Sequence, residues 1–117
     1  MRPTRLCCFD CFGAAAVLIA VAASIFSAPV EAGDPASGRN KATQCQTCHG
    51  MDGMAKLPIA PHLAGQNEVY LVKTLKDYRT GARRDDMMSL VIRELSDQDI
   101  LDLAAYYGRI EVKVKAP

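Results

Sequence analysis

Two cysteines and a histidine form a C-x-x-C-H motif, in which Cys45, Cys48 and His49 stand in the sequence CQTCH. This spacing is typical of covalent haem attachment. The two thiols can add across the two vinyl groups of one haem, and the two-residue gap places them on one turn of backbone. The histidine that directly follows Cys48 is then held under the iron, where an imidazole nitrogen can ligate it. The motif therefore predicts one covalently bound haem c per chain, with His49 as an iron ligand.

A C-x-x-C sequence is also compatible with a zinc site or with thiol redox chemistry. A structural zinc site needs four ligands, usually in two spaced pairs, and no second C-x-x-C or H-x-x-x-H follows the motif. A thioredoxin-like motif would follow a buried strand in a βαβ unit, and no such pattern precedes Cys45. We therefore prefer haem attachment and keep zinc binding and dithiol chemistry as alternatives.

Residues 1–32 have the pattern of a secretory signal peptide. Arg2 and Arg5 provide a basic region, and residues 12–26 are apolar and rich in alanine. The sequence VEA at residues 30–32 is a small-residue cleavage pattern of the A-x-A kind. We therefore expect residues 1–32 to direct export and to be removed.

Cleavage would leave residues 33–117 as a single monohaem domain in the periplasm. Three of the five cysteines precede residue 12 and would be lost. The remaining Cys45 and Cys48 are both expected to bind haem, so we expect no disulfide in the mature domain. The alternative is that the apolar run 13–30 is retained as a membrane anchor, because its length just reaches the lower limit for spanning a bilayer.

Capping residues predict an all-α fold of about three to four helices wrapped around one haem. The first helix starts at Asp34-Pro35, the second extends from Asn67 to Gly81, and the last from Ser96 to Gly108. Residues 50–65 contain too many prolines and glycines for a helix, and no strand pattern of useful length is found. The expected buried faces of the last two helices consist of Leu71, Leu75, Tyr78, Ile100, Leu103, Ala104 and Tyr107.

Several motifs follow one another in an order known from one family. They are CQTCHG at residues 45–50, PHLAGQ at 61–66, the pair Met87-Met88, LSDQDI at 95–100 and LAAYY at 103–107. In this combination the chain resembles a bacterial class I c-type cytochrome, similar to the cytochrome c553 type and to one half of the tandem dihaem cytochromes c. The resemblance covers essentially the whole predicted mature chain.

This resemblance implies roles for individual residues. His49 would be the proximal axial ligand, and the backbone carbonyl of Pro61 would bind its other ring nitrogen and fix its orientation. Met88 would be the distal axial ligand. A thioether is a soft ligand that favours Fe(II), so His/Met ligation implies a raised reduction potential. Gly38 matches the small residue at which the first helix crosses the last, where Tyr106 or Tyr107 would pack against bare backbone.

The distal ligand has alternatives. Met87 is adjacent to Met88 and is the first of them. Met51 and Met54 lie too close to His49 in sequence to reach the opposite face easily, so packing is their expected role. His62 follows Pro61, which should lie on the proximal side, so we expect an exposed loop histidine rather than a ligand. If Met88 only packs in the core, the iron would be five-coordinate, as in cytochromes that bind small gases.

Charge gives weaker information about partners. The full chain has 14 basic and 13 acidic side chains, and two of each kind lie within 1–32, so the predicted mature chain keeps a small basic excess. Five basic and two acidic residues lie within 68–84, whereas six acidic residues and one arginine lie within 85–102. Such asymmetry can orient a transient encounter with a redox partner, although solvated helix faces explain it equally well. No basic and aromatic pattern indicates nucleic-acid binding.

These features predict a one-electron carrier that acts between an upstream and a downstream redox partner. We expect a monomer that is not an enzyme, because no nucleophile, acid–base pair or substrate pocket is evident. The alternative is a haem subunit of a periplasmic dehydrogenase or oxidase complex. A five-coordinate gas-binding protein is a third possibility.

Overall fold

The computed structural model describes residues 32–116, and this part of the chain is helical without a strand. The helices are α1 (Pro35–Lys41), α2 (Gln46–His49), α3 (Glu68–Thr80), α4 (Asp86–Val91) and α5 (Asp97–Gly108), with 3-10 turns at Ala42–Gln44 and Ile92–Glu94. The predicted all-α fold is confirmed. Within the described range no helix combines the length and apolarity needed to cross a bilayer. The predicted signal peptide and the alternative anchor lie, apart from Ala32, outside the described residues.

The three longer helices begin where the sequence predicts. The carboxylate of Asp34 accepts hydrogen bonds from two backbone N–H groups in the first turn of α1. The Asn67 side chain does the same for one N–H group of α3. At α5, Ser96 and Asp99 form a reciprocal capping box. These side chains satisfy N–H groups that have no partner within their helix, so each start is determined locally.

The ends of α3 and α5 differ in kind. α3 stops at Gly81, whose φ of 78° lies in the left-handed region, as the sequence predicts. Gly108 is instead the last helical residue of α5, and Arg109, with a φ of −86°, caps the helix. A Cβ atom at Gly108 would lie 3.1 Å from the carbonyl oxygen of Gln66. Gly108 therefore permits the close approach of Gln66 to α5 and does not end the helix through a left-handed conformation.

α2 and α4 were not delineated from the sequence. They are too short, at four and six residues, for a helical apolar period to be recognised. α4 has a clear local cap, because the Asp85 carboxylate accepts hydrogen bonds from the N–H groups of Met87 and Met88 at 3.1 and 2.9 Å. This cap fixes the backbone of the two methionines.

The core forms where α1 crosses α5 and where α3 packs on α5. A Cβ atom at Gly38 would lie 2.0 Å from the carbonyl oxygen of Asp102 and 2.8 Å from the Cβ of Tyr106, so the predicted close crossing is present. A Cβ atom at Gly33 would likewise lie 2.1 Å from the carbonyl oxygen of Leu101, a close approach that the sequence does not predict. The buried apolar residues are Ala42, Leu71, Ile92, Leu95, Ile100, Leu103, Ala104, Ala105 and Tyr107.

Candidate haem-binding site

One cavity gathers the chemically distinctive residues of the chain. It encloses about 1050 Å³, including space that is open to solvent at its mouth. α3, α4 and α5 contribute mostly apolar walls, and the segments around residues 44–49 and 61–66 complete them. The residues predicted for the site all line this cavity: Cys45, Cys48, His49, Pro61, Met87 and Met88.

His49 is the buried polar group of the cavity wall, with 7% of its surface exposed. Its Nδ1 lies 2.9 Å from the backbone carbonyl oxygen of Pro61. A carbonyl oxygen can only accept, so this contact requires Nδ1 to carry the hydrogen. In the neutral imidazole Nε2 then keeps a free lone pair. This is the tautomer that an imidazole needs to ligate a metal through Nε2.

Two tyrosine hydroxyls of α5 hold the turn that follows His49. The Tyr107 hydroxyl donates to the carbonyl oxygen of Gly50 at 3.2 Å, and the Tyr106 hydroxyl donates to that of Met51 at 2.7 Å. Burial raises the pKa of Tyr107, so its phenol stays protonated and remains a donor. The sequence predicts that one of these rings packs at Gly38 but indicates no partner for either hydroxyl. The clue in the sequence was that a buried tyrosine usually needs a partner for its hydroxyl.

The loop that carries Pro61 is fixed at both ends by backbone hydrogen bonds. The carbonyl oxygen of Gly53 accepts from the N–H groups of Leu63 and Ala64 at 2.8 and 3.1 Å. The N–H of Gly65 donates to the carbonyl oxygen of Tyr107 at 3.0 Å. Pro61 therefore lies in a loop that is held by hydrogen bonds within the loop and to α5, and its carbonyl contacts His49 from this fixed position.

The two cysteine thiols are free and half-buried. Burial, with a smaller contribution from neighbouring Cys48, raises the pKa of Cys45 to about 11. Redox-active dithiols instead rely on a cysteine whose pKa is lowered, so the site does not favour dithiol chemistry. Within residues 32–116 no three His, Cys, Asp or Glu side chains are clustered so that they could hold a metal ion, and a zinc site there lacks its ligands.

The methionines differ in their relation to the cavity. Met88 is half-buried, whereas Met87 has 62% of its surface exposed, and both line the cavity. Met51 packs against the core and Met54 is exposed, and neither contributes to the cavity lining. Burial favours Met88 over Met87 as the thioether that faces a bound group, and this assignment stays a prediction.

His62 lies at the cavity but is engaged elsewhere. It is exposed, and its Nδ1 accepts a hydrogen bond from the backbone N–H of Ala55 at 2.8 Å. It directly follows Pro61, whose carbonyl already contacts His49. This arrangement agrees with the expectation of an exposed loop histidine.

The donor set suits haem. Two thiols, one imidazole with a free Nε2 and a thioether face a largely apolar cavity. These are groups that hold haem covalently and ligate its iron on its two faces. Apolar walls match the flat hydrocarbon surface of a porphyrin.

Comparison with known proteins supports this interpretation. The family description of cytochrome c matches residues 36–107. Cytochrome c-554(548) of Halomonas halodenitrificans is 45% identical over an alignment of 83 residues, which covers 68% of this chain and 100% of the relative. A cytochrome c4 of Pseudomonas aeruginosa is also 45% identical over 83 residues, which cover 71% of this chain but 41% of the relative.

Further similarities concern longer proteins. A thiosulfate dehydrogenase electron acceptor of Thiomonas intermedia is 38% identical over an alignment of 73 residues, which covers 61% of this chain and 33% of the relative. The crystal structure of reduced cytochrome c4 from Pseudomonas stutzeri superposes with a TM-score of 0.66 at 39% identity, over 71% of this chain and 48% of that one. The chain thus spans less than half of these longer proteins. The matched residues include both the haem-attachment motif and the methionine pair, and the chain belongs to the cytochrome c family.

Proposed function

We propose that the chain is a monohaem one-electron carrier of the periplasm. In this proposal Cys45 and Cys48 would form thioethers with haem c, and His49 and Met88 would ligate its iron. The observation that carries the proposal is a cavity lined by the complete C-x-x-C-H motif and by the methionine pair. Membership of the family implies a covalently bound haem c.

Bound haem supplies a couple between Fe(II) and Fe(III), and the chain determines how easily it is reduced. The hydrogen bond from Nδ1 of His49 to Pro61 orients the imidazole and makes Nε2 a stronger electron-pair donor to a metal. The thioether of Met88 favours the reduced iron. The apolar walls keep water away from the metal and also disfavour the additional positive charge of the oxidised state. The thioether and the apolar walls therefore act in the direction of a high reduction potential.

The lining of the cavity supports a carrier over an enzyme. It contains no aspartate or glutamate. Its two histidines are each engaged in a hydrogen bond, His49 with the carbonyl of Pro61 and His62 with the N–H of Ala55. General acid–base catalysis usually employs a carboxylate or a histidine that is free to exchange protons with a substrate. An electron carrier needs neither of these, because it only has to hold the haem and bring one edge close to a partner.

The second candidate function is that of a haem subunit within an oxidoreductase complex. It is favoured by the relative named as the electron acceptor of thiosulfate dehydrogenase, of which this chain covers 33%. A carrier should elute as a monomer and bind its partners transiently. A subunit should instead remain associated with a partner during purification under mild conditions, and size-exclusion chromatography distinguishes the two.

Alanine substitution at Met88 and at Met87 tests the proposed ligand set. The two residues are adjacent and share the cap at Asp85, so each variant is a matched control for the other. Met88→Ala should retain covalent haem, lose the weak sulfur-to-iron(III) band in the far red, bind carbon monoxide and have a lower potential. Met87→Ala should resemble the wild type. The reverse result would move the ligand to Met87, and two unaffected variants would refute thioether ligation.

The intact mass of the purified wild-type protein tests export and cleavage. The intact mass of haem-loaded protein from the periplasmic fraction should correspond to a chain that begins at Gly33. A mass that includes residues 1–32, recovered from the membrane fraction, would instead support a retained anchor.

A further inference from the structure

The first described residues lie tightly against α5. A Cβ atom at Gly33 would lie 2.9 Å from the Cβ of Ala105, in addition to its close approach to Leu101. The next residue continues the contact, because the N–H of Asp34 donates to Oδ1 of Asp102 at 2.8 Å. The backbone of Gly33 is therefore held next to the direct contact with the Asp102 carboxylate.

Asp102 is a buried carboxylate without a cationic partner. It has 7% of its surface exposed, and no ion pair among residues 32–116 involves it. Its second hydrogen bond comes from Nε2 of Gln98 at 2.7 Å, and this donor and the N–H of Asp34 both meet Oδ1. A buried charge is costly unless an opposite charge and further hydrogen bonds replace its lost hydration. A cationic donor at Asp102 would therefore be stabilising.

Gln98 adds an acceptor that lacks a donor. Its Nε2 lies 2.7 Å from Oδ1 of Asp102 and 3.3 Å from the carbonyl oxygen of Ala32. Both of these atoms are acceptors, so the amide must present its nitrogen to them and its oxygen elsewhere. That oxygen, Oε1, is buried and meets no donor within the described part of the chain. Buried acceptors are normally hydrogen-bonded, so the site lacks a donor as well as a cation.

The proposed removal of residues 1–32 would create a cation at this point. Hydrolysis of the peptide bond between Ala32 and Gly33 consumes one water molecule, leaves a carboxylate on the released segment and leaves a protonated α-amino group on Gly33. In a peptide unit this nitrogen lies about 2.3 Å from the preceding carbonyl oxygen, which here contacts Nε2 of Gln98. The new ammonium group therefore arises beside Gln98 and Asp102, and it carries three donors.

We propose that Asp102 and Gln98 form a binding site for the α-ammonium group of Gly33 that cleavage creates. This inference rests on the proposed function, because it requires an exported and cleaved chain. The ammonium group supplies the cation that the Asp102 carboxylate lacks and a donor for Oε1 of Gln98. A precursor that retains residues 1–32 has a neutral peptide group at Gly33 and cannot form this ion pair. The folded domain therefore gains an interaction between its first residue and α5 when the segment is removed.

The reactivity of the α-amino group measures this ion pair. Pairing with the Asp102 carboxylate stabilises the charged form and raises the pKa of the amine, whereas burial without a partner would lower it. The other charged groups at this point are Asp34, which caps α1, and Arg109, which acts on Asp34. Both remain in every variant used below, so a difference between variants reports on the proposed site.

Acetylation of the haem-loaded protein by limiting acetic anhydride, across neutral and alkaline pH, tests the proposal. Tryptic digestion isolates the α-amino group in residues 33–39, a peptide without lysine, whose acetylated fraction mass spectrometry measures. At neutral pH the α-amine should be about tenfold less reactive in the wild type than in Asp102→Asn, as for an ordinary pKa raised by one. Gln98→Ala should have an intermediate effect. Asp97→Asn removes the same charge from an exposed position of α5 and should match the wild type.

Two results would overturn the proposal. Equal α-amine titration in the wild type and Asp102→Asn would exclude the ion pair, and equal effects of Asp102→Asn and Asp97→Asn would indicate only general surface charge. If Asp102→Asn fails to mature, the folded wild type is compared with the same protein unfolded in urea, and an equal or lower pKa in the folded state refutes the pairing. An intact mass that does not begin at Gly33 would refute the proposed cleavage together with this inference. A chain that begins at Gly33 with an ordinary α-amine would refute this inference alone.

Discussion

Replacement of Gly38 by alanine tests the close crossing of α1 and α5. The added Cβ atom would lie 2.0 Å from the carbonyl oxygen of Asp102, whereas ordinary contacts of such atoms begin at 3.4 Å. The two helices would have to move apart to restore an ordinary contact. Both colliding groups belong to or lie next to the backbone, so no side-chain rotation can relieve the clash.

Two effects of this substitution oppose each other. Alanine is a better helix former than glycine by roughly 1 kcal/mol, which alone would stabilise α1. Overpacking of a close-packed interface costs roughly 1–3 kcal/mol or more, and a collision with backbone falls at the upper end. A shift of α1 would also lengthen the 2.8 Å hydrogen bond from the N–H of Asp34 to the Asp102 carboxylate. The difference between the overpacking cost and the helix gain is a net loss of about 2 kcal/mol in the free energy of unfolding.

Guanidinium chloride unfolding of the haem-loaded protein, followed by circular dichroism, measures this loss. Gly81→Ala is the control, because nothing lies within 4 Å of an added Cβ there and only the φ of 78° is unfavourable. That strain costs roughly 1–2 kcal/mol and should not disturb the core. Gly38→Ala should also impair haem loading, whereas Gly81→Ala should not. A Gly38→Ala protein as stable as the wild type would refute the close crossing.

Two further predictions concern stability. Tyr107→Phe should lower the free energy of unfolding by about 1–2 kcal/mol, because the carbonyl of Gly50 loses its donor; an unchanged midpoint in denaturant would contradict this. Hydrogen bonds from the backbone N–H of Ser96 and from Lys41 lower the pKa of Asp99 in the folded state. Its contribution is therefore complete above the pKa of the unfolded chain, roughly 3.9, and is lost as the pH falls through the lower pKa of the folded state. Asp99→Asn should reduce this acid sensitivity in unfolding experiments across that range, and a variant with the full wild-type dependence would contradict it.

The helix starts were predictable because their causes are local. Asp34, Asn67 and Ser96 each cap a helix through hydrogen bonds to N–H groups two or three residues further on. The positive φ at Gly81 is likewise a local requirement. Such interactions involve residues that are close in sequence, so the capping pattern can be recognised without knowledge of the fold.

The supports of the site were not predictable, because their partners are distant in sequence. Tyr106 and Tyr107 bind carbonyl groups 55 and 57 residues away, and the Asp102 carboxylate binds the backbone N–H of Asp34 over 68 residues. No periodicity or cap pattern encodes such pairs. The close approach of Gly33 to α5 is of the same kind, since it depends on how α5 passes the start of the described domain.

The candidate ligands could be predicted from the sequence only in part. The C-x-x-C-H motif is local and identifies Cys45, Cys48 and His49 by spacing alone. The methionine is not fixed by spacing, because Met87 and Met88 both follow Asp85 within one turn and both reach the cavity. Their different exposure is a property of the packed structure, and it favours Met88 as the ligand.

A spectroelectrochemical titration of the wild-type protein matured in the periplasm is the decisive test of the proposed electron carrier. We expect covalently bound low-spin haem, one reversible one-electron transition, and a sulfur-to-iron(III) band that is present in the oxidised protein and disappears on reduction. Protein without covalent haem would refute the proposed function, and so would high-spin iron that binds carbon monoxide without any substitution at Met88.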